Sequence, residues 1–306
     1  MHALVICLNP TVQRTLVVNG LRIGEVNRVT EHRIDASGKG VNAARVLAQL
    51  GCEVTNITQS GGRDHELFCR LAEEDGIEMD VVEADIELRH GNTVIDRSGA
   101  TTTEVVEEGF PVPAGVEGRI RERYSARLPE VAGVLIAGSK APGFSDELFP
   151  WMVEQARAAD RFVVADYRGS DLLGSLPHRP DIVKPNLVEF ARTFLSEQAG
   201  TSLSEHEHEP ELLVETREKM LEVHRDYGSD VVLTRGSQPA LYVQEGRVLE
   251  EPAPGITPVN TIGSGDTFGA ALLFKRLSGA SLGEAVRFAH ECAAANAQLL
   301  KPGSIR

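Results

Sequence analysis

The chain has 306 residues, 42% hydrophobic and 25% charged, ordinary proportions for a protein that folds around its own core without disulfides or structural metal. Its formal net charge of −14 argues against a nucleic-acid partner, and any anion site must be built from local positive groups. Residues 1–8 are apolar but too short, and without the basic start, for a secretion signal, and no run approaches the ~20 apolar residues of a membrane span. A cytoplasmic protein is therefore expected, with Cys7, Cys52, Cys69 and Cys292 as reduced thiols, since no two share C-x-x-C spacing.

In chain order, residues 4–8 predict a short strand ended by Asn9-Pro10. Residues 14–19 and 26–34 alternate apolar and polar side chains and predict two strands around the glycines at 20 and 24. Ala36-Ser37-Gly38-Lys39-Gly40 then leads into a helical pattern (Val41, Ala44, Val46, Leu47, Leu50) stopped by Gly51. A strand is expected at 54–58 and a helix at 64–75. Residues 93–96 and 101–106 flank Arg97-Ser98-Gly99-Ala100 and predict a Thr/Val-rich hairpin. The two hairpin regions, about 12–35 and 90–108, are expected to form a small sheet outside the main body. From residue 115 helices and strands alternate. Strands are expected at 131–137, 162–166, 182–183, 231–234 and 241–243, and helices at about 145–158, 211–227, 266–277 and 282–299. This rhythm predicts an α/β fold, one domain over residues 1–306 with a mostly parallel sheet and helices on both faces. Residues 196–210 are polar and contain Glu205-His206-Glu207-His208-Glu209, read as a solvated loop in preference to a metal site.

The most informative segment is Asn260-Thr261-Ile262-Gly263-Ser264-Gly265-Asp266-Thr267, a glycine-rich turn running into an apolar helix. Backbone N–H groups at such a helix start lack partners and carry partial positive charge, which suits a phosphate or charge developing on one. Asp266 at that point can accept a proton from an attacking hydroxyl, or simply cap the helix.

Together with Ala36-Ser37-Gly38-Lys39-Gly40-Val41-Asn42-Ala43-Ala44-Arg45-Val46-Leu47, this segment resembles the two signatures of the ribokinase-like, or PfkB, carbohydrate kinases. Leu8-Asn9-Pro10-Thr11, Gly24-Glu25-Val26-Asn27-Arg28 and Lys184-Pro185-Asn186 with Glu189 resemble most the branch containing 1-phosphofructokinases and tagatose-6-phosphate kinases. The resemblance runs through nearly the whole chain in order. It implies a three-layer α/β/α ribokinase-like fold with a small β-sheet lid, an ATP- and Mg²⁺-dependent kinase, and a homodimer formed through paired lids.

The same resemblance assigns roles. Asp266 becomes the base, and the amides of Gly263, Ser264 and Gly265 the anion hole. Asn186 and Glu189 match an Asn-x-x-Glu motif that places Mg²⁺ through water. Lys184, Asn186, Thr234, Gly236 and Asn296 are expected to face the nucleotide, Thr234 and Gly236 because they follow a strand end. Gly38, Lys39 and Asn42 are expected on the substrate, with Lys39 and Arg89 holding its existing phosphate and Arg28 and Lys140 adding charge. Gln13 stands where the family usually has an aspartate that binds sugar hydroxyls, and an amide donates as well as accepts. Ser37 replaces a family glycine, and Gly138-Ser139-Lys140 departs from the usual Gly-Ser-Leu-Pro by adding a cation. The leading reading is phosphorylation of fructose 1-phosphate to fructose 1,6-bisphosphate. Tagatose 6-phosphate, fructose 6-phosphate, an unphosphorylated sugar, and a non-catalytic sugar or nucleotide sensor are the alternatives. A Rossmann dehydrogenase is excluded, because no glycine fingerprint follows the first strand.

Overall fold

The computed structural model describes residues 1–195 and 210–306, so the Glu205–Glu209 run lies outside the described residues. A nine-stranded sheet forms the body. Seven of its strands are parallel and run to one edge, in the order β11 (Asp230–Arg235), β10 (Ile182–Val183), β9 (Phe162–Asp166), β8 (Gly133–Ala137), β1 (His2–Cys7), β4 (Glu53–Ser60) and β5 (Glu78–Glu83). Beyond β11, β12 (Gln238–Gln244) and β13 (Arg247–Glu251) add two antiparallel strands.

The continuous apolar runs of β1 and β8 follow from burial on both faces. Leu4 and Ile6 of β1 enter one core, whereas Ala3, Val5 and Cys7 enter the other. The first core is closed by α3 (Val116–Arg127), α4 (Leu148–Ala158), α5 (Ser170–Ser175), α6 (Leu187–Phe194) and α7 (Pro210–Tyr227). The second is closed by α1 (Lys39–Gln49), α2 (His65–Glu74), α8 (Ser264–Leu277) and α9 (Leu282–Ala297). The result is the expected three-layer α/β/α arrangement with a mostly parallel sheet.

The expected small sheet is present and has four strands, ordered β3 (Glu31–Ser37), β2 (Thr11–Val18), β6 (Arg89–Asp96), β7 (Thr101–Val106). Two antiparallel hairpins are joined by a parallel β2–β6 pairing. Between β2 and β3 the expected strand at 26–34 begins only at Glu31. The Asn27 side chain bonds the backbone of Arg22 and Glu25, and Asp96 accepts the Gly20 and Leu21 amides, so side chains satisfy this loop in place of a ladder. Strands β5 and β13 carried no strand signal in the sequence. Both are sheet edges with partial burial, so neither shows a continuous apolar run.

Candidate active site

Parallel pairing brings the carboxyl ends of β1, β8, β9, β10 and β11 to one edge of the sheet, where ligands bind in such folds. Register places Asp166 beside Ala137 and Val183 beside Ala165, so Gly138, Asp166 and Lys184 emerge side by side. The first and eighth helices aim their N-termini at the same edge. Helix α1 starts close against β1: a Cβ at Gly40 would lie 2.6 Å from Cys7 Cβ, so only glycine fits there. Helix α8 starts at Gly263, whose φ of 81° is left-handed, and a Cβ there would lie 2.3 Å from the Gly303 nitrogen.

These helix starts bring Lys39, Asn42 and Asp266 together. Asn42 Nδ2 donates to Asp266 Oδ2 at 2.9 Å, and Asp266 is only 8% exposed. Among the described residues Asp266 Oδ1 has no hydrogen-bond partner. Burial pushes the Asp266 carboxyl up to about 6, with Lys39, Asn42 and Lys184 pulling it down and the Asp166 charge pushing it further up. Lys39 Nζ reaches Glu189 Oε1 at 3.0 Å. Burial alone would lower the Lys39 pKa, but Asp166, Glu189 and Asp266 outweigh it and hold the ammonium charged. Lys39 therefore lies among carboxylates at the strand edge, with part of its side chain still exposed.

The Asn-x-x-Glu pair is the capping box of α6. Asn186 Oδ1 accepts the Glu189 amide at 2.8 Å, and Glu189 Oε2 accepts the Asn186 amide at 3.0 Å. Glu189 is buried. Burial pushes its pKa up, yet Lys39 and the Asn186 amide hold it below the ordinary value. Lys184 is buried against Asp166, Nζ to Oδ2 at 3.1 Å, although that oxygen accepts no well-aligned hydrogen bond. Burial raises the Asp166 pKa despite Lys184 and Lys39. Asp166 went unread in the sequence, yet it ends an apolar strand of a parallel sheet, and that position is the signal for it.

The remaining expected residues divide. Thr234 lies beside Asn186 through a parallel bridge at the end of β11, and Gly236 is exposed in the β11–β12 turn with φ 59°. Asn296 is fully buried. It donates to the Ile262 carbonyl and the Ser264 hydroxyl, both at 3.0 Å, and accepts the Ser304 amide, so it braces the glycine turn from behind and does not face a cleft. The Ser264 amide turns back to the Thr261 carbonyl at 3.2 Å. Lys140, expected as added charge for the substrate, is instead engaged by Asp171 and the Ser145 carbonyl and covers the Phe149 ring, with its side chain only 7% exposed. Arg28 is exposed in the β2–β3 loop.

Two residues lie where the small sheet meets the body. Gln13 is buried on β2 opposite Gly91, where a Cβ would approach its Oε1 to 2.4 Å, and its Nε2 donates to Thr93 Oγ1 at 2.7 Å. Arg89 begins β6. Its guanidinium donates to the carbonyls of Asn9 and Glu107, its Nε is buried without a partner, and it makes no ion pair among the described residues. With Asn9, Pro10 and Phe110 it lines a small cavity of about 10 Å³. Among the described residues no three His, Cys, Asp or Glu side chains are grouped to hold a metal, and no helix is long and apolar enough to cross a membrane.

Comparison with known proteins gives this arrangement a class: residues 4–305 match the family described as pfkB family carbohydrate kinase. The chain belongs to that family, and is a phosphotransferase whose acceptor is a sugar hydroxyl. Over 289 residues it is 30% identical to a 1-phosphofructokinase of Vibrio cholerae, covering 93% of this chain and 86% of that one. Among solved structures, a Thermotoga maritima protein described as a "Possible 1-phosphofructokinase" superposes with a TM-score of 0.85 at 22% identity, over 98% of this chain and 93% of that one. Escherichia coli phosphofructokinase-2, solved in complex with substrates and products, superposes with a TM-score of 0.82 at 22% identity, over 97% and 93%.

Proposed function

We propose that this kinase transfers the γ-phosphoryl group of ATP to a hydroxyl of a ketohexose phosphate, with fructose 1-phosphate becoming fructose 1,6-bisphosphate. The observation that carries the chemistry is the buried Asp266 carboxylate at the start of α8, one oxygen held by Asn42 and the other unpartnered. An alcohol attacking phosphorus must lose its proton, and phosphoryl transfer otherwise needs positioning and positive charge around the moving oxygens. Asp266 Oδ1 takes that proton. The start of α8 and the Lys39 ammonium face the developing charge. With the Ser264 amide turned to Thr261, the anion hole relies on Gly263 and Gly265, or on release of that one bond.

The donors present suit Mg²⁺, a hard cation that keeps most of its waters. Glu189, Asn186 and the incompletely bonded Asp166 are oxygen donors at one strand edge, the donor type a hard cation takes. Asn186 and Glu189 would hold the ion through water, where it would neutralise phosphate oxygens. ATP would lie along the ends of β10 and β11, near Lys184, Thr234 and Gly236.

Arg89 favours a substrate that already carries a phosphate. A desolvated guanidinium with no ion pair is costly until an anion arrives, and its fork matches phosphate geometry. The 30% identity to a 1-phosphofructokinase supports the same choice. Gln13 is the counter-indication. One of its two N–H groups donates to Thr93, and its carbonyl oxygen would accept a sugar hydroxyl as the usual aspartate does. The small sheet serves as the lid, excluding water that would compete as acceptor. Its exposed apolar side chains, Ile23 at 97%, Val26 at 87% and Val105 at 63%, support pairing with the lid of a second copy.

The test is Asp266→Asn assayed with ATP, Mg²⁺ and a panel of sugars and sugar phosphates. Turnover is expected to fall by about 10²–10⁴ with ATP binding retained. Near-parental turnover would remove Asp266 as base, and preference for an unphosphorylated sugar would remove the assigned substrate.

A further inference from the structure

Arg45 is fully buried in the middle of α1, an uncommon position for an arginine. Its Nε donates to Asp75 Oδ2 at 2.6 Å, where α2 ends. One terminal nitrogen donates to the Pro302 carbonyl at 2.8 Å and to Asn42 Oδ1 at 3.1 Å, and the other to the Ala36 carbonyl. Asp75 is held in turn by Lys301, which also lies 3.7 Å from Asp35 on β3, itself clamped by Arg33. A chain of charges thus runs from the small sheet to the side chain beside the base.

The chemistry of the amide gives this chain a consequence. Asn42 has one end that only donates and one that only accepts. A guanidinium only donates, so the end of Asn42 facing Arg45 must be the oxygen. The Ser37 hydroxyl also bonds that oxygen at 3.1 Å, but a hydroxyl can donate or accept and would tolerate either amide orientation. Were the amide reversed, its NH₂ would oppose the guanidinium and its oxygen would oppose the Asp266 carboxylate.

We propose that Arg45 is a positioning residue: held by Asp75, it fixes the Asn42 amide so that Nδ2 clamps Asp266 Oδ2 and leaves Oδ1 aimed at the incoming hydroxyl. The proposal rests on Asp266 being the base. It concerns a residue that touches neither substrate nor reacting atoms. The other charges around Asp266, namely Lys39 from α1, Asp166 from β9 and Lys184 after β10, stay in place when Arg45 is changed.

The experiment compares Arg45→Lys, Asn42→Ala and the double variant in the full chain, reading kcat, KM, thermal melts and the pH dependence of kcat. Arg45→Lys is expected to lower kcat about tenfold or more, with both KM values within about threefold of the parent. Its acid limb moves to higher pH, because the hydrogen bond that favours ionised Asp266 is loosened. In the Asn42→Ala background the same change alters kcat by less than about twofold, since residues acting through one another are not additive. A folded Arg45→Lys protein with parental kcat and an unmoved acid limb overturns the proposal, as do losses that multiply in the double variant. If Arg45→Lys does not fold, Asp75→Asn loosens the far end of the guanidinium. It must shift the acid limb in the same direction, and an unmoved limb again overturns the proposal. Turnover persisting in Asp266→Asn would sink the base itself. An inactive Asp266→Asn beside a fully active Arg45→Lys would sink only the positioning role.

Discussion

At the Asp266 carboxylate, burial and charge work against each other, and burial prevails. The unfolded carboxyl has a pKa of about 3.9, whereas in the fold it rises to about 6. Between those values the native state binds more protons than the unfolded one, so this group favours the fold most below about 4 and loses that contribution as pH climbs through about 6. With Asp266 as the proposed base, activity is expected to run the other way, because only the ionised form accepts a proton. The acid limb of kcat/KM is expected near 6, in a rate profile with saturating Mg²⁺, and activity that stays flat well below that value would contradict the assignment. Arg89 makes the complementary case for the substrate. A charge-assisted hydrogen bond contributes about 1.5–3 kcal/mol, so Arg89→Ala should raise KM for the sugar phosphate about 10- to 100-fold while kcat changes little. An unaltered KM would leave the half-buried guanidinium without a ligand. Lys140 shows how a residue departs from its sequence reading: its charge was legible, but its pairing with Asp171, 31 positions on, was not.

Elements explain how much of the site could be read in advance. The turn into α8 was legible because glycines followed by an acid and an apolar run describe both the backbone and the chemistry at once. Lys184-Pro185-Asn186 with Glu189 was legible as a motif, yet its local role as a capping box emerges only when both side chains are seen to reach back across α6. Asp166 and Arg45 were passed over for opposite reasons. The first looks like the end of a hydrophobic strand, and the second like a surface residue of an amphipathic helix, until packing shows α1 wedged between β1 and α8. The same wedge leaves no room at Gly303, where φ is 61° and an added Cβ would lie 2.4 Å from Asn42 Cβ. Gly303→Ala should cost about 2–4 kcal/mol in chemical unfolding and reduce turnover with it. A variant as stable as the parent would show that the segment after α9 yields without disturbing Asn42.

For the whole molecule, the parallel body was legible from its alternation of apolar strands and helices, whereas edge strands and the parallel joint between the two hairpins were not, since pairing of distant segments leaves no periodicity behind. The net charge of −14 repels phosphorylated ligands at long range, so the cations at the strand edge must act locally. If the small sheets of two copies pair, replacing Ile23 and Val105 with aspartate should convert a dimer to a monomer in light scattering, and a parent that is already monomeric would discard the pairing. One contact bears on how the enzyme comes into being. Arg45 meets the Pro302 carbonyl across 257 positions of sequence, and the same late segment supports the turn that carries the acid. Closing so long a loop is slow relative to local structure, so the turn at residues 263–266 is expected to reach its final packing late in folding. The acid and the glycine amides beside it therefore belong to one late-packing unit, braced by residues 302–304 against α1.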